Sequence, residues 1–266
     1  MPSFNILFFG DIVGKPGRRA LAAKLPALKK KFHPDLVIAN VENSAHGYGV
    51  TERILIELQE VGVNFFTSGN HVFKNPTDIK KVFHDYPIIR PANYAPGTEG
   101  KGYKLIEVNG VKVLIINMMG QVFMKEEFGN PFKEIDKLLK RQVKYHPQVT
   151  IIDFHAEATS EKRCFGQFCD GRVSLVIGTH THIQTADSML LPKGTGYITD
   201  AGMCGLKNSS LGMDFDNILK NFINQTSEPK IIPDHGICVI NGIFAKIDIE
   251  TGKPTEMKRL WEEVEV

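Results

Sequence analysis

A chain of 266 residues with 42% hydrophobic content is long enough to bury a sizeable core, as one large domain or two small ones. Its formal net charge of +2 sets up no strong field, so charge argues for neither nucleic-acid binding nor membrane attraction. The four cysteines (Cys164, Cys169, Cys204 and Cys238) lack C-x-x-C zinc spacing and are too sparse for a disulfide scaffold, which points to reduced thiols and a cytoplasmic protein.

The first element is an apolar strand, Phe4 to Gly10, followed by Asp11. It begins too soon after Met1 to leave room for a charged region and apolar core of a signal peptide, and no apolar run approaches the roughly 18 residues of a membrane span. Gly14-Lys-Pro-Gly17 reads as a turn into a helix from Arg18 to Phe32, with Leu21, Leu25 and Leu28 at helical spacing and Pro26 as a kink or early stop. A second strand, Asp35 to Asn40, runs on to Glu42 and Asn43. Thr51 then reads as the cap of a helix carrying Ile54, Leu55 and Leu58. Asn64 to Ser68 is a short third strand ending in Gly69-Asn-His71, and a helix opened by Pro76 reaches Tyr86. Asn109-Gly110, between strands Tyr103–Val108 and Val111–Asn117, signals a tight hairpin.

Pro131 to Tyr145 reads as an amphipathic helix with Ile135, Leu138, Leu139 and Val143 on one side. Val149 to His155 is a strand ending in histidine, and a helix-prone segment from Ala158 to Phe168 leads to Val173-Ser-Leu-Val-Ile-Gly-Thr-His-Thr-His182. That last run is a buried strand delivering His180 and His182, which extended backbone would turn to the same side. Ser188 to Leu191 and Gly196 to Thr199 pair around Pro192-Lys-Gly194. A helix from Asp214 to Asn224 and strands Gly236–Ile249 and Thr255–Trp261 close the chain. No Pro-, Gly- or Ser-rich linker divides it, so residues 1–266 are expected to form one domain.

Ligands of open α/β sheets bind beyond the carboxyl ends of the strands. Five strand ends here present Asp11, Glu42 with Asn43, Asn70 with His71, His155, and His180 with His182. Each alone has an ordinary use in a turn, a cap or a solvated surface. Together they offer carboxylate, amide oxygen and imidazole to one crevice, which a binuclear metal centre explains.

The same residues resemble the calcineurin-like metallophosphoesterases, through Gly10-Asp11, Gly69-Asn70-His71, His155 and Gly178-Thr-His180-Thr-His182. Gly10-Asp-Ile-Val-Gly-x-Pro-Gly17, Val41-Glu-Asn-Ser-Ala-His-Gly47, Arg90-Pro-Ala-Asn93, Asp153-Phe-His-Ala-Glu-Ala-Thr-Ser-Glu-Lys162 and Thr179-His-Thr-His-Ile-Gln-Thr-Ala-Asp187 are similar to the bacterial YmdB-like phosphodiesterases, nearly over the whole chain. Val13 stands where the broad superfamily has a histidine, and Glu42-Asn43 replaces its bridging aspartate, as in the YmdB-like branch.

The resemblance implies an α/β (α+β) fold of two packed mixed β-sheets flanked by α-helices. It implies one metal held by Asp11, Glu42 and His182 and a second by Glu42, Asn70, His155 and His180, with Glu42 bridging. Iron or manganese is favoured and zinc fits the donor set. Paired cations acidify a bound water and clamp an in-line displacement at phosphorus, and His71 is implied as the proton donor to the leaving alkoxide. Asn43 is expected to steer substrate or buttress the first metal. The implied reaction is hydrolysis of small phosphodiesters, 2′,3′- or 3′,5′-cyclic nucleotides among them. A phosphomonoesterase on the same centre and a non-catalytic nucleotide- or RNA-binding regulator are the alternatives. Arg18, Arg19, His46, Lys162 and Arg163 are weaker candidates for the site mouth, and the oligomeric state stays open.

Overall fold

The structure, a computed structural model, describes residues 2–74 and 79–266. Its layering follows from alternation within the strands, because successive side chains leave opposite faces. In β1 (Ser3–Ile12), Phe4, Ile6 and Phe8 enter one apolar cluster while Leu7 and Phe9 enter another. The same division holds in β2 (Leu36–Asn40), where Leu36 and Ile38 oppose Val37 and Ala39. It holds again in β6 (Val149–His155), where Val149 and Ile151 oppose Ile152 and Phe154. Strands apolar on both faces must be covered on both.

Two six-stranded mixed sheets result, as expected. The first runs β12-β11-β10-β1-β2-β3, with β3 at Phe65–Thr67, β10 at Met203–Leu206, β11 at Ile237–Asp248 and β12 at Lys253–Glu265. Within it β10, β1, β2 and β3 are parallel, and β11 and β12 antiparallel to their neighbours. The second runs β4-β5-β6-β7-β9-β8, with β4 at Tyr103–Val108, β5 at Val111–Met119, β7 at Leu175–Thr179, β8 at Met189–Leu190 and β9 at Gly196–Ile198. Here β5, β6, β7 and β9 are parallel. The sheets share an inner core of Phe4, Ile6, Phe8, Ile38, Ile115, Ile151, Ile177 and Ile243. Helices α1 (Gly14–Phe32), α2 (Glu52–Val61) and α3 (Ile79–Asp85) cover the first sheet, and α4 (Pro131–Gln142) and α5 (Thr159–Cys169) the second. Helix α6 (Phe215–Asn224) buries only Ile218.

Several boundaries differ from the sequence reading. Helix α1 starts at Gly14 and absorbs the expected turn, with Pro16 in the first turn, where a missing N–H has no intrahelical partner to lose. It continues through Pro26 to Phe32. Thr51 precedes α2 without a side-chain capping bond. The expected start of α3 at Pro76 lies outside the described residues. Helix α4 gives way to a 3-10 turn over Val143–Tyr145, and Val143 is exposed, because the tighter turn rotates it off the apolar stripe. Strand β10 has no counterpart in the sequence reading. The hairpin is as expected, with Asn109 and Gly110 both at positive φ.

One polar cluster ties the sheets together. Asp153 in β6 is fully buried and accepts bonds from Asn40 Nδ2 (2.9 Å) and Thr67 Oγ1 of the first sheet and from Thr179 Oγ1 (2.6 Å) of its own. Burial pushes its carboxyl up to about 6, against the opposing pull of His155 and these donors. An Asp153→Ala variant leaves those donors unpaired in a dry seam, and at about 1–3 kcal/mol per orphaned group we expect a loss of about 3 kcal/mol or more. The measurement is urea unfolding, which should show a lower midpoint at unchanged slope; an unchanged midpoint would contradict this role.

Candidate metal centre

The carboxyl ends of β1, β2, β3, β6 and β7 meet along one rim where the sheets face each other. Asp11 lies at the end of β1, beside a register shift after Phe9, and is fully buried. Its Oδ2 accepts from the His180 amide (3.0 Å), while its Oδ1 has no hydrogen-bond partner among the described residues. Burial pushes this carboxyl up, and His155 and His182 pull it back. Glu42, in the turn after β2, is also fully buried. Its Oε1 lies 3.0 Å from His155 Nε2, and its Oε2 accepts from the His71 amide (3.0 Å). Burial opposes its charge, yet His155 and His71 hold it well below the usual carboxylate range.

Three imidazoles have their tautomers set from behind. Thr179 Oγ1 donates its proton to Asp153, so it accepts from His155 Nδ1 (2.8 Å) and leaves His155 Nε2 as the inward atom. His180 Nε2 lies 3.1 Å from Glu157 Oε2, which turns Nδ1 inward, 3.0 Å from His155 Nε2. His182 Nδ1 donates to the Leu211 carbonyl (3.0 Å), so its Nε2 faces Asn43 Nδ2 (3.1 Å) and Asp11 Oδ1 (4.0 Å). The arrangement is that of metal-binding histidines, whose outer nitrogen is engaged by an acceptor.

These residues fit a cation. Glu42 Oε1, His155 Nε2 and His180 Nδ1 converge within 4.8 Å of one another, and unprotonated they present only electron pairs to each other. Positive charge has to sit among them, on a metal or on a proton. The carboxylates Glu42, Asp11 and Asp153 outweigh burial and push His155 up to about 9, whereas burial and His155 push His180 down to about 3. Asn70 Oδ1 and Asp11 Oδ1 are buried acceptors without a hydrogen-bond partner among the described residues. Gly69 is required beside them, since a Cβ there would lie 2.1 Å from Glu42 Oε2 and 2.5 Å from His155 Nε2.

The structure therefore gathers Asp11, Glu42, Asn43, His71, His155, His180 and His182; Asn70 follows Gly69, which lies against Glu42 and His155, and its Oδ1 has no hydrogen-bond partner among the described residues. The last two histidines do not converge through extended backbone, as their spacing suggested. Strand β7 stops at Thr179, and His180 (φ 100°) and His182 (φ 67°) are left-handed. Their convergence is imposed by the loop, at about 1–3 kcal/mol for each strained residue. Asn43 links the two halves, donating to Glu42 Oε1 (3.1 Å) and accepting from His71 Nδ1 (2.9 Å). Tyr48 packs edge-on against His71, with ring centroids 4.9 Å apart. Arg18 braces the Ser44 carbonyl (2.6 Å) and Glu57, while Arg19 and His46 are exposed. Val13, at the superfamily's histidine position, is buried and bonds Cys204 through its amide.

A sequence model of the YmdB-like protein family matches residues 7–260. A 2′,3′-cyclic-nucleotide 2′-phosphodiesterase of Bacillus subtilis is 43% identical over 96% of this chain and 96% of its own. A crystal structure described as a novel phosphatase of Mycoplasma pneumoniae superposes with a TM-score of 0.93 at 35% identity, covering 100% of this chain and 95% of that one. A hypothetical protein of Thermus thermophilus superposes with a TM-score of 0.90 at 36% identity, covering 98% of this chain and 99% of that one.

Lys162 is a participant that sequence reasoning placed wrongly, at the solvated mouth. It is 1% exposed and its Nζ donates to the Thr179 carbonyl and to Asp200 Oδ2, both at 2.7 Å. Asp200 Oδ2 also accepts from the Thr181 amide and hydroxyl, and Oδ1 from the Gly202 amide. Burial disfavours the Asp200 carboxylate, but Lys162 and these donors hold its carboxyl below the usual range. The pair thus clamps the loop that carries His180 and His182. Removing one partner of a buried ion pair costs about 3–5 kcal/mol. Lys162→Met should lose that much in thermal or chemical unfolding, and Lys162→Met with Asp200→Asn should recover part of it. Wild-type stability in the single variant would contradict the clamp.

Proposed function

The chain belongs to the YmdB-like family of the calcineurin-like metallophosphoesterases, and on that premise we propose that it is a metal-dependent phosphodiesterase acting on small cyclic nucleotides. The observation that carries this reading is the convergence of Glu42, His155 and His180, from three strand ends, within 4.8 Å of one another, with Asp11 bonded to the His180 amide beside them. The name of the Bacillus subtilis relative makes 2′,3′-cyclic nucleotides the first substrates to test, and 3′,5′-cyclic nucleotides the second. We take residues 1–266 as one metallophosphoesterase domain, a reading supported by the apolar core that both sheets share.

Asp11, Glu42 and His182 would hold one cation, and Glu42, Asn70, His155 and His180 a second. The all-N/O donor set suits manganese, iron or zinc. Cations bound there supply positive charge for the phosphoryl oxygens and lower the pKa of water toward about 7. The chain's own side chains do the rest. Glu42 carries negative charge to both halves of the site. His71, 3.4 Å from Glu42 Oε1 through Nδ1 and bonded to Asn43, is oriented to hold a proton for the leaving alkoxide. Asn43 fixes that ring and the face of His182 together. The left-handed loop holds His180 and His182 in place before substrate arrives, which avoids reorganisation during reaction.

The test compares bis-p-nitrophenyl phosphate, p-nitrophenyl phosphate and 2′,3′-cyclic AMP with Mn²⁺-loaded protein. Diester turnover should exceed monoester turnover and vanish on chelation. His71→Ala should lower kcat about 10²–10⁴-fold with metal content retained. Elemental analysis should give about two metal ions per wild-type chain and fewer in Asn70→Ala. Monoester preference, or no diester turnover when the protein is loaded in turn with manganese, iron and zinc, would overturn the proposal.

A further inference from the structure

The donor cluster occupies only one end of a cavity of about 510 Å³. Sites of roughly 300–1,000 Å³ hold whole organic ligands, so there is room for much more than a phosphate. Beyond His71 and His182 one part of the lining is apolar and aromatic, with Tyr48, Met213, Ile218 and Phe222, and the rest is polar, with Thr226, Ser227, Glu228 and Lys230 among it. Met213 and Ile218 are buried, whereas Phe222 is 76% exposed at the end of a helix whose other turns are anchored through Ile218. Tyr48 is held between His71 on its edge and Lys230, whose Nζ lies 5.7 Å from the ring centroid.

The amide that lines this part is already committed. Asn221 lines the cavity, but its Nδ2 donates to the Glu228 carbonyl (3.2 Å) and its Oδ1 accepts from Thr226 Oγ1 and the Glu228 amide (both 3.0 Å). It shapes the wall and has little capacity left to read a ligand's hydrogen-bonding edge. Two aromatic rings, with the amide spent, favour a flat group held by stacking, and Lys230 and Glu228 are the charged groups on the same wall.

We propose that this part of the cavity is a nucleoside-binding subsite in which Phe222 and Tyr48 take the base by its face and Lys230 favours the anionic nucleotide. The inference rests on the phosphodiesterase reading for what occupies the donor end. Stacking tolerates any base, since each has a π-face. The substrate class is therefore a cyclic phosphodiester bearing a nucleobase, with weak discrimination between bases.

Phe222 is mostly exposed, so Phe222→Ala leaves the core intact. Calorimetric titration of Mn²⁺-loaded protein with 3′-AMP and with glycerol 2-phosphate reads binding without turnover. Wild type should prefer 3′-AMP by about tenfold, the advantage of one stacked base. Phe222→Ala should lose that preference and Phe222→Trp keep it. In kinetics, the ratio of kcat/KM for 2′,3′-cyclic AMP over glycerol 1,2-cyclic phosphate should fall about tenfold in Phe222→Ala, through KM. The four 2′,3′-cyclic nucleotides should differ by only a few-fold in wild type. No 3′-AMP preference in wild type, or an unchanged preference in Phe222→Ala, overturns the subsite. Failure of wild type to hydrolyse any diester overturns the phosphodiesterase reading instead, and the titration still decides the subsite.

Discussion

A carboxylate oxygen of Glu42 and the inward nitrogens of His155 and His180 stand about 3 Å apart in a chain of contacts closed to solvent on the His155 side. Acceptors behind the rings, Thr179 Oγ1 for His155 and the Glu157 carboxylate for His180, hold the N–H on each outer nitrogen, so the neutral rings present only lone pairs inward. Such a cluster is self-repelling unless positive charge enters it, and burial makes the repulsion stronger. The surrounding architecture serves to keep these atoms facing one another despite that: the Thr179–Asp153 relay, the Leu211 carbonyl behind His182, Glu157 behind His180, and the Lys162–Asp200 pair under the loop.

The two-sheet arrangement supplies the meeting point. Parallel strands from opposing sheets send their carboxyl ends to one rim, and the donors lie within the strands or no more than three residues beyond them. Short reach explains why the glycine of Gly69-Asn-His71 is needed there: the backbone itself passes against Glu42 and His155.

Much of this was legible in the residues. Long apolar strands with alternating inner and outer faces, the Asn109-Gly110 turn and the donors at strand ends all report local chemistry, and local chemistry is what a sequence displays. What escaped depends on distant partners. Lys162 reads as a solvated charge until Asp200, 38 positions away, is seen to share its pocket. Strand β10 is a four-residue segment with a glycine, and it exists because β1 and β11 offer it edges. Period-two reasoning puts His180 and His182 on one side, but the backbone there is left-handed, and no side-chain pattern announces a φ of 100°. Pro16 reads as part of a turn, whereas Gly14 at φ 59° lets the helix begin before it.

The donor atoms belong to both sheets: Asp11, Glu42 and Asn70 to one, His155, His180 and His182 to the other. An ion shared between them would act as a rivet across the sandwich, adding stability in proportion to RT ln(1 + [ion]/Kd). Under the proposed reading, the cell's supply of transition metal then governs how long each molecule survives proteases as well as whether it works. Scarcity would thin the population of the enzyme, and replenishment would spare newly made copies from degradation.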